Sequence, residues 1–293
     1  MKRFSYYIFL GFLFFLKITP FFLLYLVSDL MYFFMYYILK YRRKVVYGNL
    51  KNSFPGKSEE KIKKISKAFY RNLSDILVES VKGYSMSPES FRKRYKIENF
   101  EFVAEYLKKG KTVIALASHY GNWEWGIEAV APVFQEMVVA LYKPLSNKYI
   151  DKYLKEKRRK GGMLLVPTWE TREAFDESVE TPTLFIMAAD QNPGKVSKAV
   201  WVPFLNRETA CLHGPESYAR RYNTPLVYFD VQRVKRGHYT LYIRDLYENP
   251  SLTETGFVTG LYMQTLEKII QDKPENWLWS HKRWKHKKKK ENE

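Results

Sequence analysis

The sequence predicts an α/β fold: a mixed, largely parallel sheet flanked by helices, with an N-terminal hydrophobic membrane-anchoring helix. Two observations lead there. From Lys111 onward, short β-rich apolar runs alternate with helical stretches, the pattern of strands that lie side by side with helices packed over them. Before that point, residues 4–39 are almost wholly apolar, with only Lys17 and Asp29 charged. The 293 residues suffice for a substantial buried core, and a hydrophobic content of 46% excludes a disordered chain. The division expected is 1–40 as membrane anchor and 41–293 as a catalytic domain with a basic C-terminal tail.

Within the N-terminal run, the longest charge-free piece, Phe4 to Leu16, is 13 residues. That is short of the roughly 20 needed to cross a bilayer. Pro20 caps or kinks a helix, and Phe21 to Leu39 adds 19 residues interrupted only by Asp29. Three arrangements fit: one spanning helix, a kinked helix lying in the interface, and buried core helices. The many Phe and Tyr rings suit an interface, and the basic cluster after Leu39 places the rest of the chain on the cytoplasmic side. Between Lys40 and Lys67 there are ten Lys or Arg against two Glu. Near an anionic leaflet such cations contribute about 1 kcal/mol each.

Ser58, followed by Glu59 and Glu60, caps a helix that runs to about Ser80, and Ser87-Pro88 opens a shorter one. Strands are expected at 112–118, 136–142, 163–167, 183–190, 225–234 and 238–247. Helices are expected at 122–134, 147–160 and 253–271. The tail from His281 to Lys290 carries seven Lys or Arg in ten positions and reads as a solvated, membrane-facing end.

Charge narrows the function. Forty-nine Lys plus Arg against 31 acids give a formal +18, so the partners are acidic: nucleic acid, anionic lipid or an acidic protein. No nucleic-acid recognition motif is present, and such binding does not need the apolar N-terminus. The single Cys211 excludes an internal disulfide framework and any multi-cysteine metal cluster. His213, His238, His281 and His286 are dispersed without metal-ligand spacing.

The chemistry concentrates in ALASHYGNWEWG (115–126), which puts His119 where a buried strand ends and Glu124 in the first turn of the next helix. Strand carboxyl ends are where open α/β sheets keep reacting groups. Within one helix, residues five apart point about 140° from each other. A turn at Tyr120-Gly121 lets the two side chains converge. A carboxylate beside an imidazole raises its basicity and fixes its tautomer, leaving a substrate hydroxyl as nucleophile. A structural histidine is the competing reading.

HYGNWE is similar to the HxxxxE motif of glycerolipid-type acyltransferases, and the wider pattern resembles the lipid A late acyltransferases of the lauroyl/myristoyl type. YRRKVVYGNLKNSFPGKS (41–58), YKPLSNKYID (142–151), Arg158 with Gly162, Asp190-Gln191, VPFLNRETACLHGPESYAR (202–220) and WLWSHKRWK (277–285) all resemble family segments. The resemblance implies transfer of a fatty acyl group from a thioester on acyl carrier protein, or from acyl-CoA, to a lipid hydroxyl. His119 would be the base and Glu124 its orienting carboxylate. No cofactor or metal is implied, because a thioester is already activated. The implied location is the cytoplasmic face of a bacterial inner membrane, in lipid A synthesis; a lysophospholipid or aminolipid acceptor, or an inactive lipid-binding protein, are the alternatives.

Five more residues are candidates for substrate binding. Asn122 caps the helix or holds a polar substrate group. Arg158 binds phosphate through its planar fork or belongs to a solvated face. Asp190 and Gln191 shape the site floor by hydrogen bonding, and Arg207 suits an anionic head group. Trp277, Trp279 and Trp284 pack the C-terminal end or lie at the interface.

Overall fold

The computed structural model describes residues 2–288. Two apolar helices come first, α1 (Lys2–Ile18) and α2 (Phe21–Phe33), the latter continued by a π-helical turn at Phe34–Ile38. Pro20 is the N-cap of α2, so the break falls where the missing N–H and rigid ring cannot continue α1. Then come α3 (Arg43–Ser53) and the long α4 (Glu59–Gly83), whose first turn is capped when Ser58 Oγ accepts from Lys61 N. Helix α5 (Pro88–Arg94) starts the same way, with Ser87 as cap and proline in the first turn.

The α/β body follows in order: β1 (Tyr95–Glu98), α6 (Glu101–Lys108), β2 (Val113–Ala117), α7 (Trp123–Val130), β3 (Met137–Tyr142), α8 (Lys148–Lys160), β4 (Met163–Pro167), α9 (Thr171–Glu177) and β5 (Thr183–Ala188). The antiparallel hairpin β6 (Val200–Phe204) and β7 (Arg207–Cys211) stands apart from the main sheet. After it come α10 (Gly214–Tyr222), β8 (Leu226–Lys235), β9 (His238–Tyr247) and α11 (Phe257–Asp272).

Seven strands form the sheet in the order β1-β9-β8-β2-β5-β3-β4. Every neighbouring pair is parallel except β8 and β9, which form a long antiparallel hairpin. Strand β2, VIALA, lies at the centre between β5 and β8, buried on both faces as an apolar run without polar alternation requires. Its side chains alternate between two cores. Ile114 and Leu116 join Phe175, Phe185, Tyr228, Tyr262 and Trp277 on one face, while Val113 and Ala115 join Trp125, Tyr239 and Leu241 on the other.

The expected strands are all present. β1 and the β6–β7 hairpin were not expected as strands. β1 is four residues at a sheet edge, too short to show a period. The 202–220 stretch opens within a hairpin whose two turn residues, Leu205 (φ 49°) and Asn206 (φ 63°), are both left-handed. Leucine is a poor signal for such a turn. Leu205 is fully buried and donates its backbone N–H to Glu267, so packing holds the conformation.

The basic tail also differs from expectation. Arg283 is 1% exposed, donates to the Ala210 carbonyl (2.6 Å) and lies 3.1 Å from Cys211 Sγ. Trp284 donates to Thr209 Oγ1 at 2.8 Å. The start of the tail is therefore a packed cover on β7, because the hairpin leaves carbonyls there that need donors. Lys289 and Lys290 lie outside the described residues.

The N-terminal helices lie against the body, α2 on α4 and α1 on α8. Leu16, Leu24 and Tyr32 are buried there, whereas Phe12, Phe15, Phe22, Leu26 and Phe33 face outward. The segment Phe21–Ile38 is long and apolar enough to cross a membrane by length and composition. What seats it is polar. Buried Asp75 of α4 accepts from Ser28 of α2 (2.6 Å), from Arg233 (2.5 Å) and from Arg236 (2.7 Å) in and just after β8. Arg236 also pairs with Asp29 at 2.6 Å.

Removing Asp75 leaves the largely buried Arg233 guanidinium without a carboxylate and leaves Arg236 with Asp29 alone. Asp75→Ala should therefore cost about 3–5 kcal/mol, as for other broken buried pairs. Asp29→Ala, at an exposed carboxylate, should cost about 1 kcal/mol or less. Urea unfolding in neutral detergent compares them; equal midpoints for the two variants would contradict this account of the seam.

Candidate active site

The site begins with where β2 must stop. After Ala117 and Ser118 the chain leaves the sheet, and His119 stands at its carboxyl end. The turn that follows needs glycine: Gly121 has φ +60°, and a Cβ there would lie 2.7 Å from the Val231 carbonyl oxygen. Gly121 N–H donates to Asn276 O (3.0 Å) and Leu278 N–H to His119 O (3.1 Å), so the C-terminal segment holds the turn like an added strand. Asn122 then caps α7, accepting from Trp125 N–H at 3.0 Å.

The imidazole is held by the end of β5, the strand beside β2. His119 Nδ1 is 2.7 Å from Asp190 Oδ1, and the His119 backbone N–H donates to Asp190 Oδ2 at 2.9 Å. Trp277 Nε1–H donates to the same Oδ2, also at 2.9 Å. Gln191 Nε2 is 3.1 Å from His119 Nε2, and the Trp123 ring packs edge-on against the imidazole. Burial disfavours the imidazolium, but the Asp190 carboxylate overcomes it and raises the His119 pKa. Burial alone would push Asp190 up; His119 and the converging N–H donors hold it below the usual carboxylate range. Asp190 is thus a charged carboxylate, Nδ1 carries the proton, and Nε2 is left as an acceptor toward Gln191 on a partly exposed ring.

This arrangement changes the expected pairing. Glu124 makes no hydrogen bond to His119; it accepts from Arg158 (3.1 Å) and from the indole of neighbouring Trp123 (3.2 Å), and acts on His119 through space. The five-residue spacing does bring the two near each other. It turns the carboxylate toward α8, where Arg158 also bonds Glu128 (3.3 Å) and the Tyr84 hydroxyl (3.0 Å). Burial opposes the Arg158 charge, but Tyr84, Glu124 and Glu128 together raise its pKa. Arg158 is therefore neither a solvated residue nor a free phosphate fork. It is saturated by carboxylates, and it locks α8 to α7.

Asn122 is completely buried. Its amide donates to Glu79 Oε2 at 2.8 Å, so it is spent on cap and core and has no face toward a substrate. Arg207 stands apart on the β6–β7 hairpin, stacked 4.5 Å over Trp284. The structure thus brings together His119, Asp190 and Gln191, pairs Glu124 with Arg158 beside them, buries Asn122 against Glu79 and leaves Arg207 apart on Trp284.

Two functional neighbours escaped the sequence reading. Trp277 orients Asp190, although nothing local marks one tryptophan of WLWSHKRW as its donor. Glu79 is a fully buried carboxylate that also accepts from the hydroxyls of Tyr239 (2.7 Å) and Tyr25 (2.9 Å). Burial raises its pKa against those donors. Its signal was an acid inside the apolar stretch ILVESV.

A family model, bacterial lipid A biosynthesis acyltransferase, matches residues 1–286. The chain belongs to that family. Among curated proteins, this acyltransferase is 22% identical over 249 residues to the lipid A biosynthesis lauroyltransferase of Escherichia coli (strain K12), covering 84% of this chain and 80% of that protein. A lipid acyltransferase must accommodate hydrocarbon. A cavity of about 800 Å³ lies between α5, β1, α7 and α8, lined by apolar residues including Met86, Phe91, Ile97 and Val133, with Lys157 and Lys160 beside it. Glu128 joins it to the Arg158 cluster, while His119 lies outside its lining.

The raised pKa of His119 has a direct test. In ¹⁵N NMR titration its imidazole should titrate above about 6.5, the ordinary histidine value, and Asp190→Asn should bring it down. The linked stability is fully present below the unfolded-state value and lost as pH rises through the folded-state value. A titration unchanged by Asp190→Asn would contradict the assignment of Asp190 as the cause.

Proposed function

We propose that this family member moves a fatty acyl chain from a thioester, on acyl carrier protein or coenzyme A, to a hydroxyl of a lipid A precursor. The observation that carries the reading is the His119–Asp190 pair at the carboxyl end of the central strand, with the second ring nitrogen set against the Gln191 amide. In the proposed step the lipid hydroxyl displaces the Gln191 amide and gives its proton to His119 Nε2. Its oxygen forms the new bond to the thioester carbonyl carbon. The carbon–sulfur bond breaks, and the leaving thiolate takes the proton from the imidazolium. Asp190 stabilises the imidazolium and keeps Nδ1 as the donor. Glu124 adds negative potential from a position fixed by Arg158.

The same reading assigns residues 1–40 as the anchor and 41–293 as the catalytic domain. It places the enzyme on the cytoplasmic face of a bacterial inner membrane. Support comes from the outward row of Phe12, Phe15, Phe22, Leu26 and Phe33, whose burial in lipid is favourable, beside a basic segment that attracts anionic headgroups. The +18 balance equally suits an acidic carrier protein as donor.

With purified protein in lipid–detergent micelles, His119→Ala should lower acyl transfer by about 10²–10⁴-fold without unfolding. Asp190→Asn should lower it strongly too and move the alkaline-rising limb of the pH–rate profile to lower pH, since the base then loses its proton more easily. Glu124→Gln should cost less than Asp190→Asn. Near wild-type transfer by folded His119→Ala would end this mechanism. Separately, Phe22→Ser, Leu26→Ser and Phe33→Ser combined should weaken vesicle binding, each side chain contributing about 1.5–3 kcal/mol; unchanged flotation would show that the outward row does not meet lipid.

A further inference from the structure

A basic cleft of about 560 Å³ flanks the other side of the catalytic turn, walled by α4, the β8–β9 turn and the segment after α11. Lys64, Lys67 and Arg71 enter it from one face of α4, at spacings of three and four residues. Lys235 enters from the hairpin, Lys273 from the end of α11, and Arg233 from its base, against Glu275 as the single acid in the lining. Among the described residues, Lys64, Lys67, Lys235 and Lys273 are exposed and have no ion-pair partner. Like charges at these spacings repel one another; Arg233 is offset by Asp75, while the four lysines face only the single carboxylate of Glu275, with which none of them forms an ion pair. The cleft therefore carries a standing electrostatic cost that a bound anion would relieve.

Its floor belongs to the active site. Asn72 donates to Asn276 Oδ1 (2.7 Å) and to Glu275 O (3.3 Å), while its own carbonyl oxygen accepts from Arg233. Asn276 in turn accepts from Gly121 N–H (3.0 Å) and donates to the Tyr120 hydroxyl (3.4 Å). Tyr120 and Gly121 are the two residues after His119. Toward the apolar helices, the Arg71 guanidinium lies 5.1 Å from the ring of Tyr32 in α2. The cleft thus connects the outward-facing N-terminal helices to the turn that carries the imidazole.

We propose that this cleft binds the phosphate of the acceptor lipid's headgroup and so anchors that lipid beside the catalytic turn. The assignment of an acceptor rests on the acyltransfer reading above; the anion site does not. A phosphate monoester fits the chemistry, because three elements aim ammonium and guanidinium groups inward over a neutral amide floor. Convergence favours a small, multiply charged group over an acidic protein face, which would meet cations spread across a surface. The link through Arg71 to Tyr32 puts the site at the level where headgroups lie.

The test uses the full chain in neutral detergent, titrated calorimetrically with inorganic pyrophosphate. It is also floated on phosphatidylcholine vesicles containing phosphatidic acid or phosphatidylglycerol. The variant is Lys67→Ala with Lys235→Ala, both exposed; the control is Lys93→Ala with Lys109→Ala, equally exposed but paired with acids of their own helices. The variant should lose pyrophosphate affinity by about tenfold or more and lose a preference for phosphatidic acid over phosphatidylglycerol, with the control unchanged. Absence of pyrophosphate binding, or equal losses in variant and control, overturns the site. Pyrophosphate binding without a phosphatidic acid preference assigns the cleft to a free phosphate compound and overturns the lipid assignment. A variant that keeps pyrophosphate but loses acyl carrier protein overturns it in favour of donor docking. Pyrophosphate binding needs no turnover, so a protein that binds it yet transfers no acyl chain refutes the reaction and leaves the anion site standing.

Discussion

The buried carboxylate of Asp190 is the constraint on which the site depends. One of its oxygens faces His119 Nδ1, and the other accepts from the His119 backbone and from Trp277. Those three contacts tie the end of β2, the end of β5 and the C-terminal segment to a single charge. A buried anion is tolerable only when its lone pairs are filled, so the carboxylate obliges these segments to stay together. The same requirement sets the electrostatics, leaving one nitrogen of the imidazole charge-supported and the other against the Gln191 amide.

A second carboxylate performs a similar task on the flank that carries the apolar helices. Glu79 collects Asn122, Tyr239 and Tyr25, so the N-terminal helices, strand β9 and the cap of α7 share one acceptor. Trp125 closes the arrangement by donating to the Glu79 carbonyl at 2.7 Å. Below it, Asp75 gathers Ser28, Arg233 and Arg236. The apolar helices are therefore attached to the body by polar groups and leave much of their hydrocarbon outward. Their geometry, flat against α4 and α8, is that of a surface element continuous with the enzyme.

Charge is organised as closely as packing. Arg158 is consumed by Glu124 and Glu128, whereas Lys64, Lys67, Lys235 and Lys273 around the cleft beside α4 have no ion-pair partner among the described residues. Cations that hold helices together are shielded from ligands by their own carboxylates. The net positive charge of the chain is thus an uneven surplus, concentrated where exposed lysines face one another.

The sequence by itself determined what depends on neighbouring residues. The two-sided burial of VIALA, the serine caps at 58 and 87, the break at Pro20 and the placing of His119 at a strand end are all consequences of local pattern. The family resemblance, carried by HYGNWE and the flanking segments, was legible for the same reason. Only the tertiary structure decided which carboxylate serves the imidazole. Glu124 was the neighbour in sequence, but Asp190, 71 residues away, is the neighbour in space. The parallel pairing of β2 with β5 sets their carboxyl ends side by side, and α7 turns Glu124 toward Arg158. Strand order is set by burial across the whole sheet, which no local spacing records.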